Sequence, residues 1–133
     1  MKVVTCNGCF DRLHAGHLLF LGYCRAQGDY LVVGLNSDEY LAGHKRTVFV
    51  PFSKRRLDLL ETGVVDEVIE FKEETPVEFI KSVMPSVHCI GEEYAGRNVE
   101  EGVCKELGIS VVYVPRFGRW SSANVYEGGK RWL

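Results

Sequence analysis

The chain has 133 residues, of which 46% are hydrophobic and 26% are charged, and its formal net charge is −2. This length favours a single domain over residues 1–133 with a full hydrophobic core, and the charge provides no basic surface for nucleic acid. No apolar run is long enough to cross a membrane and the N-terminus has no signal-peptide pattern, so we expect a cytoplasmic protein that acts on neither nucleic acid nor membranes.

Strands and helices alternate in the first half of the chain. The apolar run over residues 30–35 is nearly continuous, which is typical of a strand buried on both faces of a parallel sheet. Gly28 ends the helix before this strand, and a polar loop over residues 36–50 follows it. In chain order we predict a strand over residues 3–6, a helix over residues 18–27, a strand over residues 30–35 and a helix that begins after Pro51.

The second half of the chain continues this alternation. The sequence Thr75-Pro76-Val77-Glu78 predicts a helix start, with threonine as the cap, proline at the first helical position and glutamate at the third. In chain order we predict a strand over residues 68–71, this helix, a strand over residues 87–90, a helix over residues 99–107 that Gly108 caps, and a strand over residues 109–114.

Five strands with intervening helices predict one α/β fold, a doubly wound parallel five-stranded sheet with helices on both faces. Ligands of such sheets bind at the carboxyl ends of the strands. Polar segments follow the predicted strands at residues 8–17, 36–38, 91–94 and 116–122. We therefore expect the functional site at this edge of the sheet.

The sequence GCFDRLHAGH, residues 8–17, joins the first strand to the first helix. Backbone N–H groups and the positive end of a helix dipole attract phosphate at such a point. His14 and His17 lie on one face of a helix that has begun, and imidazoles there add hydrogen bonds and charge to a phosphoryl transition state. Gly16 has no Cβ atom, so the backbone can approach phosphates closely. The same spacing also suits two metal ligands, but no third ligand is evident, so we predict no metal site on the protein.

The chain contains five cysteines, which could form disulfides, a redox motif or a zinc site. An odd number without a regular framework argues against a secreted disulfide scaffold. Cys6 and Cys9 form a C-x-x-C motif between a strand and a helix, which keeps a thiol–disulfide protein as an alternative. Small residues that fill the first strand and its turn are the simpler interpretation, because no second cysteine pair completes a zinc site.

The motif over residues 8–17 resembles the signature of the cytidylyltransferase-like nucleotidyltransferases, with its H-x-G-H core. Residues 65–68 match a segment common to that family, and residues 116–125 resemble its C-terminal R-x-x-x-x-S-T-x-x-I element. Trp120 and the pair Gly128-Gly129 depart from the family pattern. The resemblance implies a Rossmann-like fold and the transfer of a nucleotidyl group from CTP or ATP to the phosphate of a small polyol or sugar phosphate, with release of pyrophosphate.

The resemblance also implies roles for individual residues, which we take over position by position. The expected catalytic residues are His14, His17, Lys45 and Arg116. The expected nucleotide-binding residues are Gly8, Cys9, Phe10, His14, Gly16, His17, Gly91, Glu93, Arg116, Ser121 and Ser122. The expected acceptor-binding residues are Asp38, Lys45 and Arg55, and the neighbours Arg46 and Arg56 are the alternatives to the last two.

Two subfamilies compete for the choice of substrates. Glycerol-3-phosphate cytidylyltransferases resemble the chain at residues 115–116, whereas heptose-phosphate adenylyltransferases resemble it at residues 33–38, 46–51 and 71–76. The number of matching stretches favours the sugar-phosphate side, but the base is chosen by pocket shape, which the sequence leaves open. The resemblance further implies a Mg²⁺ ion bound through the triphosphate and a homodimer. A catalytically silent nucleotide-binding module is a further alternative.

Overall fold

The structure, a computed structural model, describes residues 1–44 and 47–117. The described residues form five strands, five α-helices and one 3₁₀ turn. In chain order these are β1 (Val3–Gly8), α1 (Ala15–Arg25), β2 (Tyr30–Asn36), α2 (Asp38–Gly43), α3 (Phe52–Glu61), β3 (Glu67–Phe71), α4 (Val77–Val83), β4 (Val87–Gly91), the turn (Glu92–Tyr94), α5 (Glu100–Leu107) and β5 (Ser110–Val114).

The strands form one sheet in the order β3-β2-β1-β4-β5, and every pairing is parallel. The chain moves outward from β1 to β3 on one side of the sheet and then adds β4 and β5 on the other side. The strand order therefore reverses between β1 and β4, which is the point where ligands of open parallel sheets bind. The predicted Rossmann-like, doubly wound sheet of five parallel strands is confirmed.

Apolar side chains cover both faces of this sheet. On one face, Val33 of β2 belongs to a buried cluster with Leu21 of α1. On the other face, Val32 belongs to a cluster with Ile80 of α4. Successive strand residues point to opposite faces, so a strand that is covered on both sides needs apolar residues throughout. This explains the continuous apolar run of residues 30–35 and confirms the helices on both faces.

The start of α4 lies over the β2–β3 side of the sheet. The Phe79 ring of α4 packs on Gly34 of β2, where a Cβ atom would lie 2.7 Å from ring carbons. The same ring stacks on the ring of Phe71 at the end of β3, with centroids 6.0 Å apart. Glycine thus permits a close approach of helix to sheet that a larger residue would block. As a result, residues 72–76 lie at the carboxyl edge of the sheet, beside β2 and β3.

Side-chain caps account for two differences from the predicted elements. α1 begins earlier than predicted, at Ala15, because His14 caps it. The predicted loop over residues 36–50 contains the short helix α2, since Ser37 Oγ accepts a hydrogen bond from the Tyr40 N–H at 3.1 Å and caps that helix. Hydrophobic periodicity marks neither start, because both depend on polar residues that satisfy free N–H groups.

The predicted start of α4 is displaced by one residue. The helix begins at Val77, and Pro76 occupies the cap position in place of the first helical position. Thr75 Oγ1 accepts a hydrogen bond from the Val77 N–H at 3.4 Å, so the threonine still satisfies one free donor of the first turn. None of the helices in the described residues is long and apolar enough to cross a membrane.

Candidate active site

A cavity of about 590 Å³ opens at the carboxyl ends of β1, β2 and β4, where the strand order reverses. Four segments line it: the end of β1 with the turn after it, the end of β2, the residues before α4, and the stretch from β4 to α5. The predicted nucleotide-binding residues in its lining are Gly8, Cys9, Phe10, His17, Gly91 and Glu93. The fold therefore brings these distant residues into one cavity, while their binding roles stay predictions.

The turn after β1 contains two non-glycine residues in left-handed backbone conformations. Phe10 has a φ angle of 43° and Arg12 one of 62°. Such conformations are strained for L-residues and persist only where the surrounding structure imposes them. The Phe10 ring is 7% exposed and meets the His17 ring edge-on, with centroids 5.4 Å apart. A Cβ atom on Gly8 would lie 3.0 Å from the Phe10 ring, so the glycine makes room for this anchor.

His14 and His17 cap the N-terminus of α1 reciprocally. His14 Nδ1 accepts hydrogen bonds from the backbone N–H groups of Gly16 at 3.0 Å and His17 at 3.4 Å. His17 Nδ1 accepts one in return from the His14 N–H at 3.4 Å. The two rings stack with centroids 3.8 Å apart. Because both Nδ1 atoms act as acceptors, each neutral ring carries its proton on Nε2.

Both histidines of this capping pair favour the neutral state. Burial lowers the pKa of His14 below its ordinary value of 6.5. Burial, and then the neighbouring His14, lowers the pKa of His17 to about 4. His17 lines the cavity, whereas His14 is 8% exposed and stacks on His17. Before a substrate binds, the pair therefore offers neutral Nε2–H donors, and the added positive charge expected from the sequence would require an anion that raises these pKa values.

Arg55 of α3 joins four segments around the cavity. Its side chain has 0% exposure. Nε donates to the Val50 carbonyl at 2.7 Å, and Nη1 donates to the carbonyls of Cys9 and Asn36, both at 2.9 Å. Nη2 donates to Asp38 Oδ1 at 2.8 Å. The guanidinium thus fixes the turn after β1 against the end of β2 and the start of α2.

The contacts of Arg55 support a positioning role, and its predicted contact with the acceptor phosphate stays a prediction. Most of its N–H groups already donate to protein oxygens, and the side chain is buried. Asp38 is partly engaged as well, because its Oδ1 also accepts a hydrogen bond from the Phe52 N–H at 2.9 Å. Its side chain is 46% exposed, and its acceptor-binding role stays a prediction. Asp11 Oδ1 accepts from the Val50 N–H at 2.8 Å and ties the same segment to the turn.

The stretch from β4 to α5 forms the opposite wall of the cavity. A Cβ atom on Gly91 would lie 2.5 Å from Glu93 Oε1, so the Glu93 carboxylate lies directly over this glycine. Arg97 Nε donates to the Glu93 carbonyl at 2.9 Å, and its guanidinium lies over the Tyr94 ring at 5.6 Å from the centroid. Glu100, at the first turn of α5, also lines the cavity, and burial raises its pKa.

Carboxylates outnumber cationic side chains in the described lining. The acidic residues are Asp11, Glu74, Glu93 and Glu100, whereas the described lining contains one arginine, Arg97, and no lysine. A nucleoside triphosphate is a polyanion, so these carboxylates would face hydrogen-bond donors or a cation rather than phosphate oxygens. Phosphates are instead favoured near His17 and the N-terminus of α1. The sequence assigned no binding role to Asn7, Glu74, Thr75 or Glu100, although each follows or ends a strand or begins a helix at this edge of the sheet.

The remaining predicted residues lie outside the cavity or outside the described residues. Arg116 is exposed, does not line the cavity, and donates its backbone N–H to Glu92 Oε1 at 2.9 Å. Its role stays a prediction. Gly16 lies in the first turn of α1, where its N–H reaches His14. The residues outside the described part of the chain are Lys45, Arg46, Trp120, Ser121, Ser122, Gly128 and Gly129.

The two cysteines of the C-x-x-C motif lie in different surroundings. Cys6 is fully buried in the apolar cluster, where it contacts the Cys24 thiol. Contacts with Cys6 and with Cys89, together with burial, raise the pKa of Cys24. Cys9 instead lines the cavity, and its Sγ donates to Asn36 Oδ1 at 3.4 Å. Because Cys6 is fully buried and cannot reach a partner thiol from solution, the geometry favours packing and cavity lining over the thiol–disulfide alternative.

Comparison with known proteins agrees with this arrangement. The profile of the family described as cytidylyltransferase-like matches residues 5–114. The chain is 38% identical over 133 residues to the bifunctional protein HldE of Helicobacter hepaticus, and the match covers 98% of the chain and 27% of that protein. It is 45% identical over 101 residues to the bifunctional protein HldE of Campylobacter curvus, with 74% of the chain and 21% of that protein covered. The chain thus spans about a quarter of the length of these curated relatives.

Solved structures show the same fold. The crystal structure of the lipopolysaccharide core biosynthesis protein from Thermoplasma volcanium superposes with a TM-score of 0.70 at 26% identity, over 91% of this chain and 99% of that one. Pantothenate synthetase from Thermus thermophilus superposes with a TM-score of 0.66 at 21% identity, over 99% of this chain and 65% of that one, which supports the fold alone. From the family profile, the relatives and the switch-point cavity together, the chain belongs to the cytidylyltransferase-like family of nucleotidyltransferases.

Proposed function

We propose that this chain transfers an adenylyl group from ATP to the phosphate of a sugar 1-phosphate and releases pyrophosphate. The observation that carries the proposal is the capping pair of His14 and His17. This pair presents imidazole donors and a helix N-terminus beside the cavity where the strand order reverses. The residues of this pair stabilise the charge that spreads over the α-phosphate in the transition state.

The bonds change in one in-line displacement. An oxygen of the acceptor phosphate attacks the α-phosphorus of ATP and forms a new P–O–P linkage. The bond from the α-phosphorus to the bridging oxygen of the β-phosphate breaks, and pyrophosphate leaves with that electron pair. Because the acceptor phosphate is already an anion, no strong base is needed, and catalysis depends on alignment and on donors to the phosphoryl oxygens. The Nε2–H group of His17 supplies one such donor at the cavity.

A Mg²⁺ ion fits this site as a companion of the substrate. Among residues 1–44 and 47–117, no group of three or more His, Cys, Asp or Glu side chains is arranged to hold a metal ion. Mg²⁺ usually keeps several waters and binds through substrate phosphates, so it needs no protein cage. When bound, it neutralises part of the triphosphate charge, and the carboxylates of the lining then offer it outer contacts through water.

The sugar phosphate is favoured as the acceptor by two observations. Residues 33–38, 46–51 and 71–76 resemble heptose-phosphate adenylyltransferases. One similar structure is that of a lipopolysaccharide core biosynthesis protein. These observations support an activated sugar as the product, with ATP as the donor by the same resemblance.

The test is a pyrophosphate-release assay with ATP and CTP as donors. The acceptors are heptose 1-phosphate, mannose 1-phosphate, glucose 1-phosphate and glycerol 3-phosphate. We expect the highest kcat/KM for ATP with a sugar 1-phosphate. If the protein turns over only CTP with glycerol 3-phosphate, it catalyses the same type of reaction on the other pair of substrates, and the proposed ATP and sugar 1-phosphate are wrong. Nucleotide binding without turnover for any acceptor would instead identify a silent nucleotide-binding module.

A further inference from the structure

We propose that Glu74 selects the acceptor, by accepting hydrogen bonds from hydroxyl groups of the sugar. The inference rests on the proposed function and assigns a specificity-determining residue within the same cavity. Glu74 lies between β3 and α4 and lines the cavity. Among the described residues of the lining, it supplies the carboxylate of the β2–β3 side.

The strand order separates this carboxylate from those of Glu93 and Glu100. Glu93 and Glu100 belong to the wall after β4, on one side of β1. Glu74 belongs to the opposite side, because the packing of Phe79 on Gly34 fixes the start of α4 over β2 and β3. The sequence predicts that Gly91 and Glu93, in the β4–α5 wall, bind the nucleotide. We therefore place the acceptor on the remaining side of the cavity, towards Glu74.

His44 holds the Glu74 carboxylate in place. The Nε2 atom of His44 lies 3.0 Å from Glu74 Oε2, and Nδ1 lies 2.7 Å from the Tyr40 carbonyl oxygen. The imidazole also stacks on the Tyr40 ring, with centroids 4.0 Å apart. Both nitrogens face acceptors, so the ring donates from both in its protonated form. Glu74 Oε2 is thereby held by the end of α2, while the Glu74 side chain is 76% exposed and open to a substrate.

The chemistry of a carboxylate determines what it would recognise. In a cavity for two phosphate-bearing substrates, an anionic side chain repels phosphate and attracts hydrogen-bond donors or a hydrated cation. The donors on a sugar 1-phosphate are its hydroxyl groups, and a charged acceptor makes strong hydrogen bonds to them. A site built to bind a hydroxyl rejects an acceptor that lacks it much more strongly than an apolar pocket would. A sugar 1-phosphate carries more hydroxyl groups, and carries them farther from its phosphate, than glycerol 3-phosphate does, and Glu74 therefore favours the sugar phosphate.

The direction in which the KM for the acceptor changes distinguishes this proposal from a purely electrostatic effect of Glu74. If Glu74 only added negative charge, its removal would strengthen the binding of an anionic acceptor and lower the KM for that acceptor. If Glu74 binds hydroxyls, its removal raises that KM. The KM for ATP is expected to change less than about twofold, because Glu74 lies on the acceptor side. The two interpretations thus predict opposite changes in one measured quantity.

The experiment compares wild-type protein with Glu74→Gln, Glu74→Ala and Glu73→Gln in the pyrophosphate-release assay. Glu73 is the matched control, since it is an exposed neighbour whose carboxylate accepts from the Lys72 N–H and does not line the cavity. The acceptors are heptose 1-phosphate and mannose 1-phosphate, with glycerol 3-phosphate as the short comparator. Urea unfolding of each variant checks that it is folded.

We expect Glu74→Ala to raise the KM for the sugar 1-phosphate on the order of 10- to 100-fold, as for the loss of hydrogen bonds to a charged group, with a smaller rise for Glu74→Gln. Glu73→Gln should match the wild type, and the preference for the sugar phosphate over glycerol 3-phosphate should shrink in the Glu74 variants. An unchanged or lower KM in folded Glu74 variants overturns this proposal and leaves the function intact. A wild-type protein that releases no pyrophosphate with any acceptor overturns the proposed function and this inference with it.

Discussion

The backbone N–H of His17 donates to His14 Nδ1, and the backbone N–H of His14 donates to His17 Nδ1. The same two side chains therefore cap the helix and, in the proposed function, provide donors for phosphate through their other ring nitrogens. The capping contacts also orient the two rings, because a ring that lost its Nδ1 contacts would lose the orientation of its Nε2–H group. Substitutions at these positions must separate the two roles.

His14→Asn and His14→Ala separate capping from catalysis. Asparagine is a good N-cap but lacks the Nε2–H group. The free energy of unfolding of His14→Asn should therefore lie within about 0.5 kcal/mol of the wild-type value, whereas that of His14→Ala should be lower by about 1 kcal/mol. Both variants should lose on the order of 10²- to 10³-fold in kcat, the typical effect of removing one donor to a transition state. Urea unfolding and steady-state pyrophosphate release measure the two quantities. Full activity of His14→Asn would show that the ring acts only as a cap.

The pH profile of kcat/KM tests whether the histidines act as neutral donors. Burial lowers the pKa of His14 and holds that of His17 at about 4, so both rings are neutral throughout the neutral range before substrate binds. With ATP varied at an acceptor concentration well below its KM, we expect kcat/KM to be flat between about pH 7 and pH 8.5. A fall across that interval in the wild type, absent from His17→Asn, would show instead that the free enzyme needs an imidazolium.

Arg55 is predicted to stabilise the site without touching substrate. Its buried guanidinium donates to the carbonyls of Cys9 and Asn36 and to Asp38. Arg55→Met should lower the free energy of unfolding by about 3–5 kcal/mol, because the partners of a buried charge are left unsatisfied. Arg56→Met, at the exposed neighbouring position, should change it by less than about 0.5 kcal/mol.

The conservative variant Arg55→Lys tests the same role by its kinetics. Lysine keeps the charge but cannot make the fork of hydrogen bonds, so the turn after β1 should loosen. We expect a lower kcat together with higher KM values for both substrates. A rise confined to the KM for the acceptor would return Arg55 to the direct phosphate contact predicted from the sequence.

His88 and Thr5 form a buried polar pair between β4 and β1. Both residues have 0% exposure, His88 Nδ1 lies 2.7 Å from Thr5 Oγ1, and His88 Nε2 has no hydrogen-bond partner among the described residues. Burial lowers the pKa of His88 to about 4. The unfolded chain, with a histidine pKa near 6.5, binds this proton more readily. Stability therefore rises with pH between about pH 4 and pH 6.5 and is lost on acidification.

The double variant Thr5→Val, His88→Leu tests this linkage. Between pH 6.5 and pH 5 the free energy of unfolding of the wild type should fall by about 2 kcal/mol because of His88, and by a similar amount because of His17. The double variant should lose about 2 kcal/mol less over that interval. At pH 7 it should be at least as stable as the wild type, since both members of an incompletely bonded pair are replaced by apolar groups. Urea unfolding at the two pH values measures both, and an unchanged pH dependence would contradict the assignment.

Local sequence patterns predicted the sheet, the H-x-G-H turn and its place at the carboxyl edge, because apolar periodicity and glycine spacing are local signals. The same patterns did not predict the burial of Arg55, since that depends on how α3 packs against segments that are distant in sequence. They also missed Glu74, whose place at the cavity follows from the contact of Phe79 with Gly34 across the sheet. Long-range packing thus decided which of the charged residues meet the cavity.

The most direct test of nucleotidyl transfer follows the label from two forms of ATP. The protein is incubated with heptose 1-phosphate and either [α-³²P]ATP or [γ-³²P]ATP, and the products are separated by chromatography. We predict that the α-label moves into a nucleotide sugar while the γ-label appears in pyrophosphate, and that His17→Ala slows both on the order of 10²- to 10³-fold. Appearance of the γ-label in the sugar phosphate or in inorganic phosphate, with the α-label left in ADP, would contradict the account.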